Sequence, residues 1–230
     1  DWSAVAADGI TFAMIKCGGG DDGLYEDRKF QQNIQGALAN GIQVGVYFYS
    51  GASNAREAYD EASYCISLIR DYQITYPVAF DWELDGDYDS VTEACETFCN
   101  VISSYGYQPM VYSNRNRWYN NFDGEKIASK YKVWMAAYFG KFYYDSVRWT
   151  YGDDLPNFRY HYDMWQYSSR CYVDGISGQV DVDIAFFGYA NYHVDTKDAV
   201  LTVTNKEIKR TYGDGIGRLT EELNLLDGVK

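Results

Sequence analysis

Apolar residues recur along this chain in two periods. Residues 10–16, 42–49, 76–83, 107–113, 132–138 and 163–168 are short runs rich in β-branched and aromatic side chains, and they predict strands. Between them the period lengthens to that of a helix. Residues 26–40 place Phe30, Ile34, Ala37 and Leu38 on one stripe, and residues 54–71 do the same with Ala58, Ala62, Cys65, Ile66 and Ile69. A third helix is predicted with Thr92 as its cap, Ala94, Phe98, Val101 and Ile102 facing inward, and Gly106 as its stop. Strand followed by helix, four times over, predicts an α/β fold of parallel strands with helices outside. That order closes most naturally into a TIM-like (β/α) barrel, whose working residues sit at the carboxyl ends of the strands. An open dinucleotide-binding sheet would need GxGxxG between a strand and a helix. Gly18-Gly19-Gly20 lacks that spacing, and is read as a flexible strand-to-helix loop at the barrel mouth.

Composition divides the chain. Of 24 Tyr, 11 Phe and 6 Trp, only Tyr212 follows residue 195, and the acid excess also lies before it. A boundary is therefore expected near residues 193–198, with a domain over 1–192, a linker over 193–198 and a small helical segment over 199–230. The net charge of −13 repels a phosphate backbone and argues against a nucleic-acid partner. No apolar run approaches the roughly 20 residues of a membrane span, so no membrane partner is expected either. Aromatic abundance suits a groove that stacks sugars, and equally a tyrosine-rich core. Five cysteines form no CxxC pair and stand far from His161 and His193, which makes a zinc site improbable. They leave two readings open: buried free thiols, or one bridge from Cys65 to Cys95 or Cys99.

The candidate chemistry is carried by carboxylates. The run Tyr76-Pro-Val-Ala-Phe-Asp-Trp-Glu83 stays apolar and then ends in two acids. Alternation along a strand turns Asp81 and Glu83 to the same side, about 7 Å apart. Two acids in a partly dry site cannot both ionise cheaply, so one keeps its proton to higher pH, an arrangement suited to glycoside cleavage. The bland reading is a solvated pair at a strand end. A second cluster, Asp181-Val182-Asp183, follows a Gly-rich turn and by itself reads as the end of a hairpin. Asp85, Asp87, Asp89 and Glu96 mimic a calcium loop, but Ser90 stands where the sharp turn wants Gly, so an acidic surface loop is favoured. No Ser-His-Asp or Cys-His signature is present, and no metal or organic cofactor is expected.

Taken in order, these pieces resemble the family 25 glycoside hydrolases, lysozymes that cut peptidoglycan between N-acetylmuramic acid and N-acetylglucosamine. The similarity runs from Asp1-Trp2 to about residue 190. It includes Gly9 to Ala13, Asp27, Phe30, Asn33, Gly41 to Ser50, Tyr76 to Glu83, Gly106 to Tyr112, Trp134 to Tyr138, Met164 to Ser168, Val173 to Ile176 and Val180-Asp181. The resemblance implies hydrolysis of a β-1,4 bond with retention, Glu83 as general acid and base, and Asp81 positioning the substrate acetamido group as internal nucleophile. It also implies that Asp181 helps bind and orient the sugar, and that Tyr47, Tyr112, Trp134, Tyr138 and Gln166 line the groove. Peptidoglycan glycan strands are the implied partner, and the cell wall or extracellular space the implied place of action. A non-catalytic glycan-binding barrel and a hydrolase of chitin-like polymers stay open beside it.

One departure stands out. The family begins with a strand carrying Asp-x-Ser and a Gln-Gly turn shortly before the Asp-Trp that opens this chain. The expected fold is therefore an irregular barrel lacking its first strand, with two unpaired edges and a site short of one Asp. Such a fragment would be less stable or inactive. Residues 205–220 resemble the helical cell-wall-binding repeats of some phage lysins, and equally read as a helical linker.

Overall fold

The structure is a computed structural model, and it describes residues 1–187. Within it the compact unit is Asp1–Phe186. The expected end of the domain at 192, the linker at 193–198 and the module at 199–230 lie outside the described residues.

In chain order the elements are α1 (Trp2–Ala7), β1 (Phe12–Gly19), β2 (Tyr25–Glu26), α2 (Phe30–Ala39), β3 (Gln43–Tyr49), α3 (Ala55–Ile69), β4 (Val78–Asp81) and α4 (Tyr88–Ser104). They continue with β5 (Pro109–Asn114), α5 (Arg115–Asn120), α6 (Gly124–Ala128), β6 (Lys132–Ala136), α7 (Lys141–Tyr144), β7 (Met164–Cys171) and β8 (Val180–Ala185). One mixed sheet has the order β2-β1-β3-β4-β5-β6-β7-β8. Strands β1 and β3 to β7 pair in parallel, as strand-helix alternation predicts, while β2 and β8 add antiparallel at the ends. The sheet curls into a half-barrel with helices outside. Among the described residues it does not close, because β8 has β7 as its sheet partner and the far end is capped by two-residue β2.

Burial explains the central strands. Every residue of β4 is buried, because a parallel strand covered on both faces needs an apolar run rather than alternation. Phe98 of α4 packs its ring 5.2 Å from Phe80 and 6.2 Å from Phe48, joining helix to sheet. Helix α3 buries the predicted Ala58, Ala62, Cys65, Ile66 and Ile69, and its cap Asn54 accepts hydrogen bonds from the N–H groups of Arg56 and Glu57.

Several local expectations are corrected. Thr92 does not cap α4: Asp87 does, accepting from Ser90 N–H, and Thr92 lies inside the helix, where its hydroxyl accepts from Asp123 N–H at 2.9 Å. Helix α2 begins at Phe30 rather than residue 26, because Tyr25 and Glu26 pair with Gly19 and Gly18 as β2. Nor is Gly18-Gly19-Gly20 a flexible loop. A Cβ on Gly18 would stand 2.2 Å from the Tyr25 carbonyl oxygen, and one on Gly20 would stand 2.1 Å from Glu61 Oε1, so glycine is required here by close approach. All five cysteines are free and buried; Cys65 Sγ lies 3.7 Å from Cys17 Sγ, and no bridge joins it to Cys95 or Cys99. The acids of the calcium-like loop are engaged elsewhere, Asp87 as a helix cap and Glu96 in ion pairs with Lys126 and Lys130. Among the described residues no group of three or more potential ligands could hold a metal ion.

Candidate active site

Register brings the site together. Asp81, last residue of β4, lies opposite Tyr49 of β3 and Tyr112 of β5, and Tyr112 in turn lies opposite Trp134 of β6. In parallel strands such partners share a level, so the Asp81 carboxyl and the Tyr112 and Trp134 rings form one row toward the carboxyl ends. The row faces a cavity of about 1220 Å³, larger than the usual pocket for a single small ligand and roomy enough for several sugar rings. Consecutive residues 9–16 and 179–184 line its sides, as strand edges without partners do.

Of the residues expected at the site, Asp81, Glu83, Asp181, Tyr47, Tyr112, Trp134 and Gln166 all line this cavity. Tyr138 is not in its wall; it reaches the site indirectly, its hydroxyl donating to Gln166 Oε1. Tyr112 donates to the same oxygen at 2.9 Å, so Gln166 ties two phenols together beneath the cavity. The rings of Tyr112 and Tyr47 stand 4.5 and 6.2 Å from Trp134. Burial pushes the Tyr47 and Tyr112 hydroxyls well above the ordinary range, so both remain neutral donors.

The carboxyl groups differ in surroundings. Asp81 is 4% exposed, and its Oδ1 is buried with no hydrogen-bond partner among the described residues. Desolvation, and then the charge of Glu83, raise its proton affinity well above the usual value, against the opposing charges of Lys16 and Arg117. Glu83 is half-buried and stands where the strand gives way to the loop. Asp181 keeps exposed surface, yet the wall crowds its carboxyl and that desolvation raises it. His161, with a side chain 62% exposed and 3.5 Å from Asp163, takes no part in the cavity.

Two residues of the cavity carry no expected site role in the sequence: Lys16 is not singled out there, and Asp183 reads only as part of a hairpin end. Lys16, within β1, lines the cavity with its ammonium 4.8 Å from the Tyr49 ring centroid. A lone cation closing an apolar run was the available signal. Asp183 shares the cavity with Asp181 and accepts a hydrogen bond from Trp134 Nε1 at 2.7 Å. Burial pushes it up to about 8, against the indole hydrogen bond and with help from the charge of Asp181. Its signal was the two-residue spacing from Asp181 along one strand, whereas β4 ends at Asp81 and Glu83 stands beyond the strand.

A curled parallel sheet with helices outside, opening at its strand ends onto a groove of carboxyl groups and aromatic rings, defines a barrel-type glycoside hydrolase. The chain belongs to the glycosyl hydrolases family 25, whose sequence profile matches residues 1–176. It is 27% identical to the autolytic lysozyme of Clostridium acetobutylicum over 189 residues, covering 80% of this chain and 51% of that protein. To the lysozyme of Streptococcus phage Cp-1 it is 29% identical over 137 residues, covering 55% of this chain and 37% of that protein. Among solved structures, the modular autolysin LytC of Streptococcus pneumoniae in complex with a synthetic peptidoglycan ligand superposes with a TM-score of 0.64 at 26% identity. That match covers 80% of this chain and 42% of the other. The CTP1L endolysin gives a TM-score of 0.65 at 24% identity, over 80% of this chain and 61% of that one. The chain thus spans about half the length of the curated relatives it matches.

Proposed function

We propose that this protein is an N-acetylmuramidase, cleaving the β-1,4 bond between N-acetylmuramic acid and N-acetylglucosamine in peptidoglycan with retention of configuration. The observation that carries the reading is the pair of acids at the end of β4: Asp81 buried with Oδ1 unpartnered, and Glu83 half-buried in the same open cavity. An unpartnered buried oxygen costs stability, and an N-acetyl group offers the amide N–H that would satisfy it. Held so, the acetamido carbonyl oxygen is turned toward the anomeric carbon as internal nucleophile. Glu83 protonates the departing glycosidic oxygen, and then, as carboxylate, takes a proton from the water that opens the cyclic intermediate. Two displacements at one carbon retain its configuration. Asp181 orients the sugar, and Tyr47, Tyr112 and Trp134 give its rings an aromatic floor, with Gln166 and Tyr138 holding that floor from below. Action on the cell wall from outside the cytoplasm is part of this reading, supported by autolytic and phage lysozymes among the relatives.

Glu83→Gln in the full-length gene product tests it. Loss of about 10²–10⁴-fold in reducing ends released from purified walls is expected. Undiminished release removes Glu83 from the chemistry. Tight muropeptide binding without any release by the unmodified protein would instead mark a glycan-binding barrel, and faster release from chitin than from walls would change the substrate.

A further inference from the structure

Trp134 and Asp183 belong to strands that are not neighbours. Trp134 is on β6 opposite Met164, Asp183 is on β8 opposite Gln166, and β7 runs between them. Even so, the indole N–H reaches across the inner face to Asp183 Oδ1 at 2.7 Å. Gln166 accepts the Tyr112 hydroxyl at 2.9 Å, and the Tyr112 ring lies 4.5 Å from the Trp134 ring at an interplanar angle of 59°. The four residues therefore close a loop: indole to carboxyl, across one sheet pair to the amide, amide to phenol, and phenol back to indole. A ring joined to its strand by two rotatable bonds is fixed here at its far corner.

We infer that Asp183 is a positioning residue, which fixes the orientation of the Trp134 ring, buried at the base of the cavity, and through it the shape of the wall that meets the sugar. The role rests on the glycan-cleaving function proposed above. An indole N–H at this depth needs an acceptor, but any neutral carbonyl would serve. A carboxyl group here raises its own cost, since desolvation resists its charge and Asp181 adds repulsion. A costly group kept at a cavity wall is what a functional site retains and a merely structural one sheds. Sugar recognition supplies the need, because a binding wall works only when the side chains that shape it are held to within about 10–20°.

The test compares Asp183→Ala with Asp183→Asn in the full chain, using two readouts. The first needs no ligand: the Trp134 indole N–H resonance, assigned by its loss in Trp134→Phe, is shifted downfield in the wild type and in D183N, and moves upfield in D183A. The second is calorimetric binding of a soluble N-acetylglucosamine/N-acetylmuramic acid tetrasaccharide. D183A weakens binding on the order of tenfold while D183N stays within about threefold, and in the W134F background D183A adds no further loss. An unmoved indole resonance in D183A, or equal loss of affinity in D183N and D183A with unfolding midpoints unchanged, overturns the assignment. A wild type that shows the shifted indole yet binds no tetrasaccharide sinks the glycan reading and the positioning role with it. The intact indole signal tells that outcome from the first.

Discussion

Glu61 shows how one side chain can carry a structural load far from where its sequence class belongs. It sits on the apolar stripe of α3, 3% exposed, accepting from Ser50 Oγ at 2.5 Å and from Gly51 N–H at 2.8 Å. Ser50 N–H in turn donates to the Asp81 carbonyl at 2.7 Å, so this carboxyl anchors the loop beside the candidate acid pair. Burial pushes Glu61 up to about 7, overcoming the hydrogen bonds that favour its charge. A folded-state value above the unfolded one means the proton favours folding. That stability is full below about pH 4.5 and lost as pH rises through 7. Glu61→Gln should match the wild type near pH 4.5 and exceed it by roughly 1–3 kcal/mol at pH 8 in urea unfolding. A variant less stable than wild type at pH 8 would mean that the hydrogen bonds outweigh desolvation. Glu61 is not among the stripe residues expected on α3, and the loop it anchors is not legible in the sequence, since Ser50 and Gly51 meet it only through the fold.

At the scale of elements, periodicity located α3, α4 and the central strands, and missed what depends on distant pairing. Helical spacing in residues 26–40 suggested a helix from its first residue, but Glu26 is claimed by Gly18 across a two-residue ladder. Tertiary pairing overrode local preference. Strand β2 exists because β1 ends in glycines, and Gly18→Ala tests this. Its Cβ would meet the Tyr25 carbonyl oxygen at 2.2 Å, with Leu68 and Phe48 at 3.2 and 3.3 Å closing the other sides. Backbone rather than a flexible tip must yield, so a loss of about 1–3 kcal/mol is expected, read as a lower melting temperature. An unchanged melting temperature would show that β2 peels away without cost. The short helices α5, α6 and α7 carry too few turns for a hydrophobic period to register, which is why no sequence pattern announced them.

For the whole molecule, acids of two kinds set the dependence on pH. Glu61, Asp81 and Asp183 are all raised by burial, and the stabilising protons of Glu61 and Asp183 are lost as pH climbs through about 7 and about 8. Asp8, Glu57, Asp87, Glu96 and Asp153 are lowered, by hydrogen bonds or ion pairs, and their contribution disappears as pH falls below about 4. Melting temperature should therefore peak in mild acid, near pH 5, and fall toward pH 8. Added salt should recover more at pH 8 than at pH 5, because it screens a net charge of −13. A melting temperature that rises steadily from pH 5 to pH 8 would show that the buried acids do not govern stability.

The sequence by itself determined the class of fold and the strand that ends at Asp81, with Glu83 two residues further on, because alternating strand and helix periods and a run of apolar residues ending in acid are local patterns. Only the tertiary structure decided how these pieces meet. Asp81 lost its solvent, Asp183 found the Trp134 indole across an intervening strand, and Lys16 of β1 entered the same cavity. Desolvation and contacts between distant strands are properties of packed neighbours, and a linear pattern of residues does not contain them.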